Sequence, residues 1–395
     1  MEEIFKMSSK KYVESIPVGP LAIVALSGSK ALGDTVDAYI SDWRSERIEA
    51  KDSPITFKGY VKDSYLLNVN TPRFGTGEAK CTLRDTVRGC DLYIIDDVTN
   101  YSVEYTVCGH KNHMSPDDHY ADIKRVIAAA SGKARKITVI MPFLYESRQH
   151  RRTARESMDC AVMLQELVSM GVDNILTFDA HDPRVNNAIP ISGFESIMPT
   201  YQFIKSLLKN VDDLKIDSDH LMAISPDEGA MGRVVYYANV LGINMGMFYK
   251  RRDYTTIVDG RNPIVAHEYL GESVEGKDVL IVDDMISSGD SMLDVAKQLK
   301  KRKANRVFVA STFGLFTNGL EKFDQAFKDG LIYRVMTTNC IYQTPELLER
   351  EWYINVDVAK YTALFIDRLN HDASISDLLN PVDKINKRVN SYKNK

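Results

Sequence analysis

Residues 279–299 read VLIVDDMISSGDSMLDVAKQL. Val279–Val282 is an unbroken apolar run, the pattern of a parallel strand covered on both faces. Two carboxylates, Asp283 and Asp284, follow at once, then a Ser/Gly loop over Ser287–Ser291. An amphipathic helix is predicted from near Met292, with Met292, Ala296 and Leu299 on one face. A strand, a loop of small residues and a helix N-terminus form an anion cradle, because backbone N–H groups and the helix dipole converge on one point. Acids at the strand tip suit sugar hydroxyls, or a metal that itself holds phosphate. The segment therefore expects one molecule carrying both a diol and a phosphate. A Rossmann-like turn with a solvent-facing acidic pair fits the same letters.

The same alternation runs along most of the chain. Apolar runs at Leu21–Leu26, Leu92–Ile95, Ile137–Met141, Ile175–Phe178, Leu221–Ile224, Met245–Phe248 and Val307–Thr312 read as further strands. Helical patterns lie between them, as at Ala31–Trp43, Asp118–Ala130, Ser157–Met170 and Gly229–Leu241. Strand–helix alternation predicts an α/β fold of parallel sheets with helices on both faces, in two similar halves. Residues 44–72 read as a loop with extra strands, and the polar, basic tail DKINKRVNSYKNK as a frayed end.

Composition narrows the class. A chain of 395 residues is too long for one small core, so two domains are expected. A net charge of -4 argues against a nucleic-acid binder. There is no apolar run long enough for a membrane span. Cys81, Cys90, Cys108, Cys160 and Cys340 are dispersed without paired spacing, which fits reduced thiols in a cytoplasm. Cys108, His110, His113 and His119 invite a zinc reading, but their spacing matches no well-founded site, and Ser115-Pro116-Asp117 reads as a turn.

Other segments carry chemistry. MPFLYESRQHRRTARES (141–157) places Arg148, Arg151, Arg152 and Arg155 after a strand, where guanidinium groups suit phosphate or simply face solvent. LTFDAHDPRVNN (176–187) ends a strand in Asp179, His181 and Asp182, a metal or phosphate candidate. ISPDEGAMGRVVYYANVLG (224–242) puts Asp227 between a strand and a helix. MFYKRRDYTT (247–256) delivers Lys250, Arg251 and Arg252, and RFGTGEAKCTLRDTVRGCDLYII (73–95) carries Phe74 and Glu78. Each has a plain alternative: a solvated basic run, a capping acid, a core phenylalanine.

Together these segments resemble, collinearly, the ribose-phosphate pyrophosphokinases (PRPP synthetases), and residues 279–299 also resemble the ribose-5-phosphate loop of type I phosphoribosyltransferases. The resemblance implies two tandem type I phosphoribosyltransferase-like domains, each a mainly parallel sheet flanked by helices. Residues 1–198 would be the ATP side and 199–395 the ribose 5-phosphate side, with 381–395 frayed. It implies Mg²⁺-dependent transfer of the β,γ-diphosphoryl group of ATP to ribose 5-phosphate in a cytoplasmic homo-oligomer, commonly a hexamer.

Residue roles follow by position in the family's motifs. Phe74, Thr76, Gly77, Glu78, Arg148, Gln149 and Arg151 would bind ATP, with Phe74 stacked on adenine. His181 and Asp227 would sit on Mg²⁺. Arg252, Asp283, Asp284, Ser287, Ser288, Gly289, Asp290 and Ser291 would hold ribose 5-phosphate. Lys250 and Arg252 would stabilise the migrating diphosphoryl group. The chain departs from the family at Ser287 (usually Asp), Asp290 (usually Gly), His150 (usually Asp), Ala230 (usually Gly) and Thr76 (usually Asp or Asn). The departures at Ser287 and Asp290 leave two other readings: a catalytically weak homologue that regulates a true synthetase, and a base phosphoribosyltransferase. The arginine motif and the duplicated domain oppose the second.

Overall fold

The computed structural model describes residues 15–49, 57, 59–252 and 264–394, with the backbone alone for 49, 250–252 and 264–267. The chain divides into two compact units, one running up to Met198 and taking in Asn339–Tyr342 and Asp357–Asn380, the other holding the rest.

In the first unit β1 (Leu21–Ala25) leads into α1 (Lys30–Glu49). Short pairs follow: β2 (Val69–Asn70) with β3 (Thr82–Leu83) and, after β4 (Asp91–Ile95), the hairpin of β5 (Glu104–Val107) and β6 (His110–His113). Helix α2 (Pro116–Ala130) starts at a capping box, in which the Ser115 hydroxyl accepts from the Asp118 N–H and the Asp118 carboxylate accepts from the Ser115 N–H. Strand β7 (Lys136–Ile140), α3 (Asp159–Ser169), β8 (Asn174–Phe178) and β9 (Gly193–Ile197) complete the run. The sheet is parallel throughout, in the order β1-β4-β7-β8-β9. Leu66 bridges Ile23 in parallel on the far side of β1. The chain thus leaves β1 to one side and returns as β4 on the other.

The second unit begins with α4 (Thr200–Asn210), β10 (Leu221–Ser225), α5 (Met231–Leu241), β11 (Asn244–Arg252) and β12 (Ile264–Gly271). It continues through β13 (Asp278–Ile286), α6 (Asp290–Lys301), β14 (Val307–Gly314), α7 (Glu321–Lys328), β15 (Arg334–Thr338), α8 (Pro345–Leu348) and β16 (Tyr353–Val356). Its sheet runs β12-β11-β10-β13-β14-β15-β16, with β11–β12 the antiparallel pair. Val279 and Ile281 enter the core beneath α6 and α7, while Leu280 and Val282 enter the core beneath α4 and α5. The period of two, buried on both faces, is why this strand spells four apolar letters in a row.

Three expectations need correction. First, the apolar strand does not stop at Val282. It continues through both acids to Ile286, because pairing with β14 persists from Asp283↔Ser311 to Ile286↔Gly314. Second, residues 44–49 are the last turns of α1, not a loop. Third, the tail is ordered as α11 (Val382–Lys393), which follows α9 (Ala359–Asn370) and α10 (Ser376–Leu379). Ile385 and Val389 are buried on its inner stripe, and the Tyr392 hydroxyl donates to the Val211 carbonyl (2.6 Å). Spaced by four and three residues, these side chains form a narrow apolar stripe in a polar sequence.

The domain division also departs from a single cut after residue 198, since α9 and α10 belong to the first unit. Asp367 on α9 is held by Arg44 (3.2 Å) and Arg47 (2.5 Å) of α1, all buried, while Asn370 accepts from Arg44 (2.7 Å). A buried carboxylate needs such partners, and removing one from a buried pair costs about 3–5 kcal/mol.

The two units repeat a structural phrase that the sequence reading did not isolate. Gly89 and Gly276 turn at positive φ (72° and 74°). Two residues on, Asp91 accepts a fork from Arg135 (2.7 and 2.5 Å), as Asp278 does from Arg306 (3.1 and 2.7 Å). The strands DLYII and DVLIV then reach the acid pairs Asp96-Asp97 and Asp283-Asp284.

Candidate functional site

Strand β13 pairs with β10 on one side and β14 on the other. After β10 the chain moves outward to β11 and β12, then returns to β13. The β10/β13 boundary is therefore a topological switch point, where the carboxyl ends of parallel strands leave a crevice for ligand. The expected acids stand there. Asp284 is buried (4 % exposed) with Arg233 of α5 at 3.9 Å, and its N–H donates to Asp283 Oδ1 (2.9 Å). Burial, followed by the negative charges of Asp284 and Asp227, pushes the Asp283 carboxyl well above its ordinary range. Asp227 caps the turn into α5 by accepting the N–H groups of Gly229 (3.0 Å) and Ala230 (3.3 Å). Arg233 was not foreseen. Its signal was a cation two residues inside a helix that starts beside an acid.

Ser287, Ser288 and Gly289 form the turn into α6, whose first N–H groups lack intrahelical partners and present an anion site. Gly289 sits at φ 84°, and a side-chain carbon there would meet the Phe323 ring of α7 at 2.3 Å. The turn is thus packed down on α7 by the absence of a Cβ. Asp290 is exposed and accepts from Lys322 of α7 (2.5 Å). That ion pair draws the unusual carboxylate onto α7 and holds its pKa below the ordinary carboxylate value, Lys322 being the chief cause.

In the first unit the Arg73–Lys80 segment is a tight loop: Phe74 N–H donates to the Glu78 carbonyl (2.7 Å) and Gly77 N–H to the Phe74 carbonyl (2.8 Å). Phe74 is 52 % exposed, unsuited to a core role and open for stacking. The Thr76 hydroxyl donates to Glu78 Oε2 (3.0 Å). Arg73 fastens the loop to α2 through a fork on Asp122 (2.8 and 2.9 Å). The arginine loop after β7 is anchored on the same helix: the Tyr145 hydroxyl donates to Asp117 (2.5 Å), and its ring stacks on Tyr120 at 4.6 Å. Helix α2 is therefore a common platform for both segments.

Arg148 and Arg151 are exposed. Gln149 instead spans its own loop, donating to the Ser157 carbonyl (2.8 Å). His150 lies 3.5 Å from Asp182, with its ring 5.4 Å from that of His181 after β8. Asp182 is turned to Arg184 (2.5 Å).

Lys250 and Arg252 end β11, opposite His267 and Ile264 with an irregularity between Arg251 and Arg252. Their side chains lie outside the described ones. His119 is buried between Asp96 Oδ2 (3.1 Å) and the Asn100 carbonyl (3.0 Å), a structural role. Among the described residues no three His, Cys, Asp or Glu side chains gather into a ready metal cage. Mg²⁺ needs no such cage, because it keeps several waters and takes one or two carboxylates plus phosphate oxygens. The acidic surroundings of Asp283 also favour a cation.

Comparison with known proteins accords with this architecture. The family model described as the N-terminal domain of ribose phosphate pyrophosphokinase matches residues 21–171, and the phosphoribosyl transferase domain model matches 192–339. A ribose-phosphate pyrophosphokinase of Shewanella oneidensis is 30% identical over 307 residues, 77% of this chain and 88% of the relative. One from Vibrio cholerae is 28% identical over 319 residues, 80% of this chain and 92% of the relative. The crystal structure of phosphoribosylpyrophosphate synthetase from Mycobacterium smegmatis superposes with a TM-score of 0.67 at 19% identity, covering 89% of this chain and 99% of that one.

Proposed function

Because the chain belongs to the ribose-phosphate pyrophosphokinase family, we propose that it transfers the β,γ-diphosphoryl group of ATP to the C1 hydroxyl of D-ribose 5-phosphate. The products are 5-phosphoribosyl 1-pyrophosphate (PRPP) and AMP. The observation that carries this reading is the acid pair Asp283-Asp284 beside the Ser287–Gly289 turn and the start of α6, at the β10/β13 switch point. A diol and a phosphate on one ligand match acids and a helix N-terminus on one strand–turn–helix.

Asp283 and Asp284 hold the ribose hydroxyls, and Ser288 and Gly289 of the turn, with Ser291 in the first turn of α6, take the 5-phosphate. Ser287 and Asp290 border it. Phe74, Thr76, Gly77 and Glu78 receive the base, and Arg148, Gln149 and Arg151 serve the triphosphate. The C1 hydroxyl oxygen bonds the β-phosphorus and gives up its proton to solvent as the bond to the oxygen bridging α and β breaks, and AMP leaves with that oxygen. Lys250 and Arg252 neutralise charge on the group in transit. Asp227 and His181 are the residues assigned to Mg²⁺, which when bound supplies positive charge to phosphate oxygens. The Asp290–Lys322 pair supports an intact cradle, since the extra carboxylate is engaged on α7.

The same reading carries a cytoplasmic homo-oligomer, hexameric by resemblance, which light scattering after gel filtration measures. Five cysteines dispersed without paired spacing suit a reducing compartment, and no described helix is long and apolar enough to cross a membrane. The function is tested by incubating purified protein with ATP, ribose 5-phosphate and Mg²⁺. One AMP per PRPP is expected. Folded protein that binds ribose 5-phosphate without turnover would favour the regulatory homologue. Nucleotide formation from PRPP and a free base would favour the transferase.

A further inference from the structure

The β5–β6 hairpin is a two-stranded sheet of its own, joined by Cys108 and Gly109 at positive φ (48° and 85°), the mark of a type I′ turn. An isolated hairpin is marginal in water and needs something to pack on. Alternation puts Tyr105 and Val107 on the half-buried face and Glu104 and Thr106 on the exposed one. The half-buried face meets the Arg73–Lys80 loop. Cys108 N–H donates to the Gly75 carbonyl (2.7 Å). The Arg73 guanidinium lies 5.1 Å from the Tyr105 ring centroid. A Cβ on Gly77, whose φ is 92°, would stand 3.1 Å from Val107 and 3.7 Å from Tyr105. At its other end the Tyr105 hydroxyl donates to the Asp118 carboxylate of α2 (3.2 Å). The hairpin thus joins the Arg73–Asp122 fork in fastening the loop to α2.

We propose that this hairpin is a positioning element for nucleotide recognition: it fixes the loop that presents Phe74 and Glu78 to the base and so sets both affinity and selectivity for the donor nucleotide. The inference rests on the reading of that loop as the base site. A held loop binds without first ordering its backbone, and a selective hydrogen bond donated by the base to Glu78 demands a fixed carboxylate. Tyr105 and Val107 act through the loop and touch no reacting atom.

The test uses the full-length protein with ATP or GTP as donor, reading KM for each substrate, kcat and the thermal midpoint. Phe74→Ala checks the underlying reading and is expected to raise KM for ATP. Tyr105→Ala is expected to raise KM for ATP about tenfold, the equivalent of ordering roughly one backbone residue. It should also erode the preference for ATP over GTP, with kcat and KM for ribose 5-phosphate within about twofold. Tyr105→Phe keeps the ring over Arg73 and should restore the ATP value. If Phe74→Ala weakens ATP and Tyr105→Ala leaves KM and selectivity unchanged, the strap is refuted and the base site stands. If Phe74→Ala leaves ATP untouched, both fall. Should Tyr105→Ala fail to fold, Val107→Ala repeats the test by opening the contact with Gly77: a several-fold rise in KM for ATP supports the strap, and no rise overturns it.

Discussion

Replacing Gly289 with alanine should cost the second unit several kcal/mol, for two separable reasons. The backbone sits at φ 84°, where a residue with a Cβ pays about 1–2 kcal/mol. The new Cβ would also stand 2.3 and 2.5 Å from two carbons of the Phe323 ring, and Phe323 is fully buried with no room to retreat. Overpacking of that kind costs about 1–3 kcal/mol, for a total near 2–5 kcal/mol. Trp352 reports on the site directly, since its ring stacks on Phe323 at 5.5 Å. The only other tryptophan is Trp43. In a Trp43→Phe background, guanidinium unfolding followed by Trp352 fluorescence should show the loss. A Phe323→Ala background separates the terms. That change itself costs about 3–5 kcal/mol, but adding Gly289→Ala to it should cost only the backbone part. The reasoning fails if Gly289→Ala costs less than about 0.5 kcal/mol, or if its cost is the same in both backgrounds.

Further outcomes follow from other sites. Asp290→Gly and Asp290→Asn should leave ribose 5-phosphate affinity unchanged or improved, because the carboxylate is engaged by Lys322; loss of binding in both would make Asp290 a ligand. Lys250→Ala should lower kcat far more than it raises KM for either substrate, as befits a charge needed in the transition state; normal kcat with raised KM would refute that role. Acid should destabilise the first unit in two stages. Burial pushes His371 down to about 4, so the unfolded chain takes its proton first and stability falls between pH 6.5 and 4, by up to about 3 kcal/mol. Burial alone would raise Asp367, but the Arg47 and Arg44 charges outweigh it and hold the carboxyl well below its ordinary 3.8, so its contribution is lost below that pH. Unfolding curves of His371→Gln should lack the upper stage; an unchanged upper stage would contradict the assignment.

What the sequence made legible was local. Val279–Val282 announced a strand with two buried faces because each letter lands in a core, and the acids and small residues after it announced a ligand-bearing turn. The strand's true end was hidden, since pairing with β14 carries Asp283 and Asp284 inside the strand and no local propensity reveals a neighbour's length. Long-range partners were equally silent. Lys322 reaches Asp290 from 32 residues away. Arg44, Arg47 and Asp367 look like solvated charges in sequence and are buried partners 320 or more residues apart. The hairpin escaped notice because its turn is Cys-Gly rather than Asn-Gly, and the tail because Ile385 and Val389 stand almost alone among polar residues. Phe74 needed the structure for a different reason: exposure, not residue type, separates a stacking ring from a core one.

The most direct test of the central claim is the fate of the phosphorus atoms. Phosphorus NMR of a reaction containing ATP, ribose 5-phosphate, Mg²⁺ and the protein should show the β and γ resonances of ATP replaced, at equal rates, by a diphosphate on C1 of ribose 5-phosphate, with AMP growing one for one. Appearance of ADP with a singly phosphorylated sugar, or an unchanged spectrum from folded protein, would contradict diphosphoryl transfer.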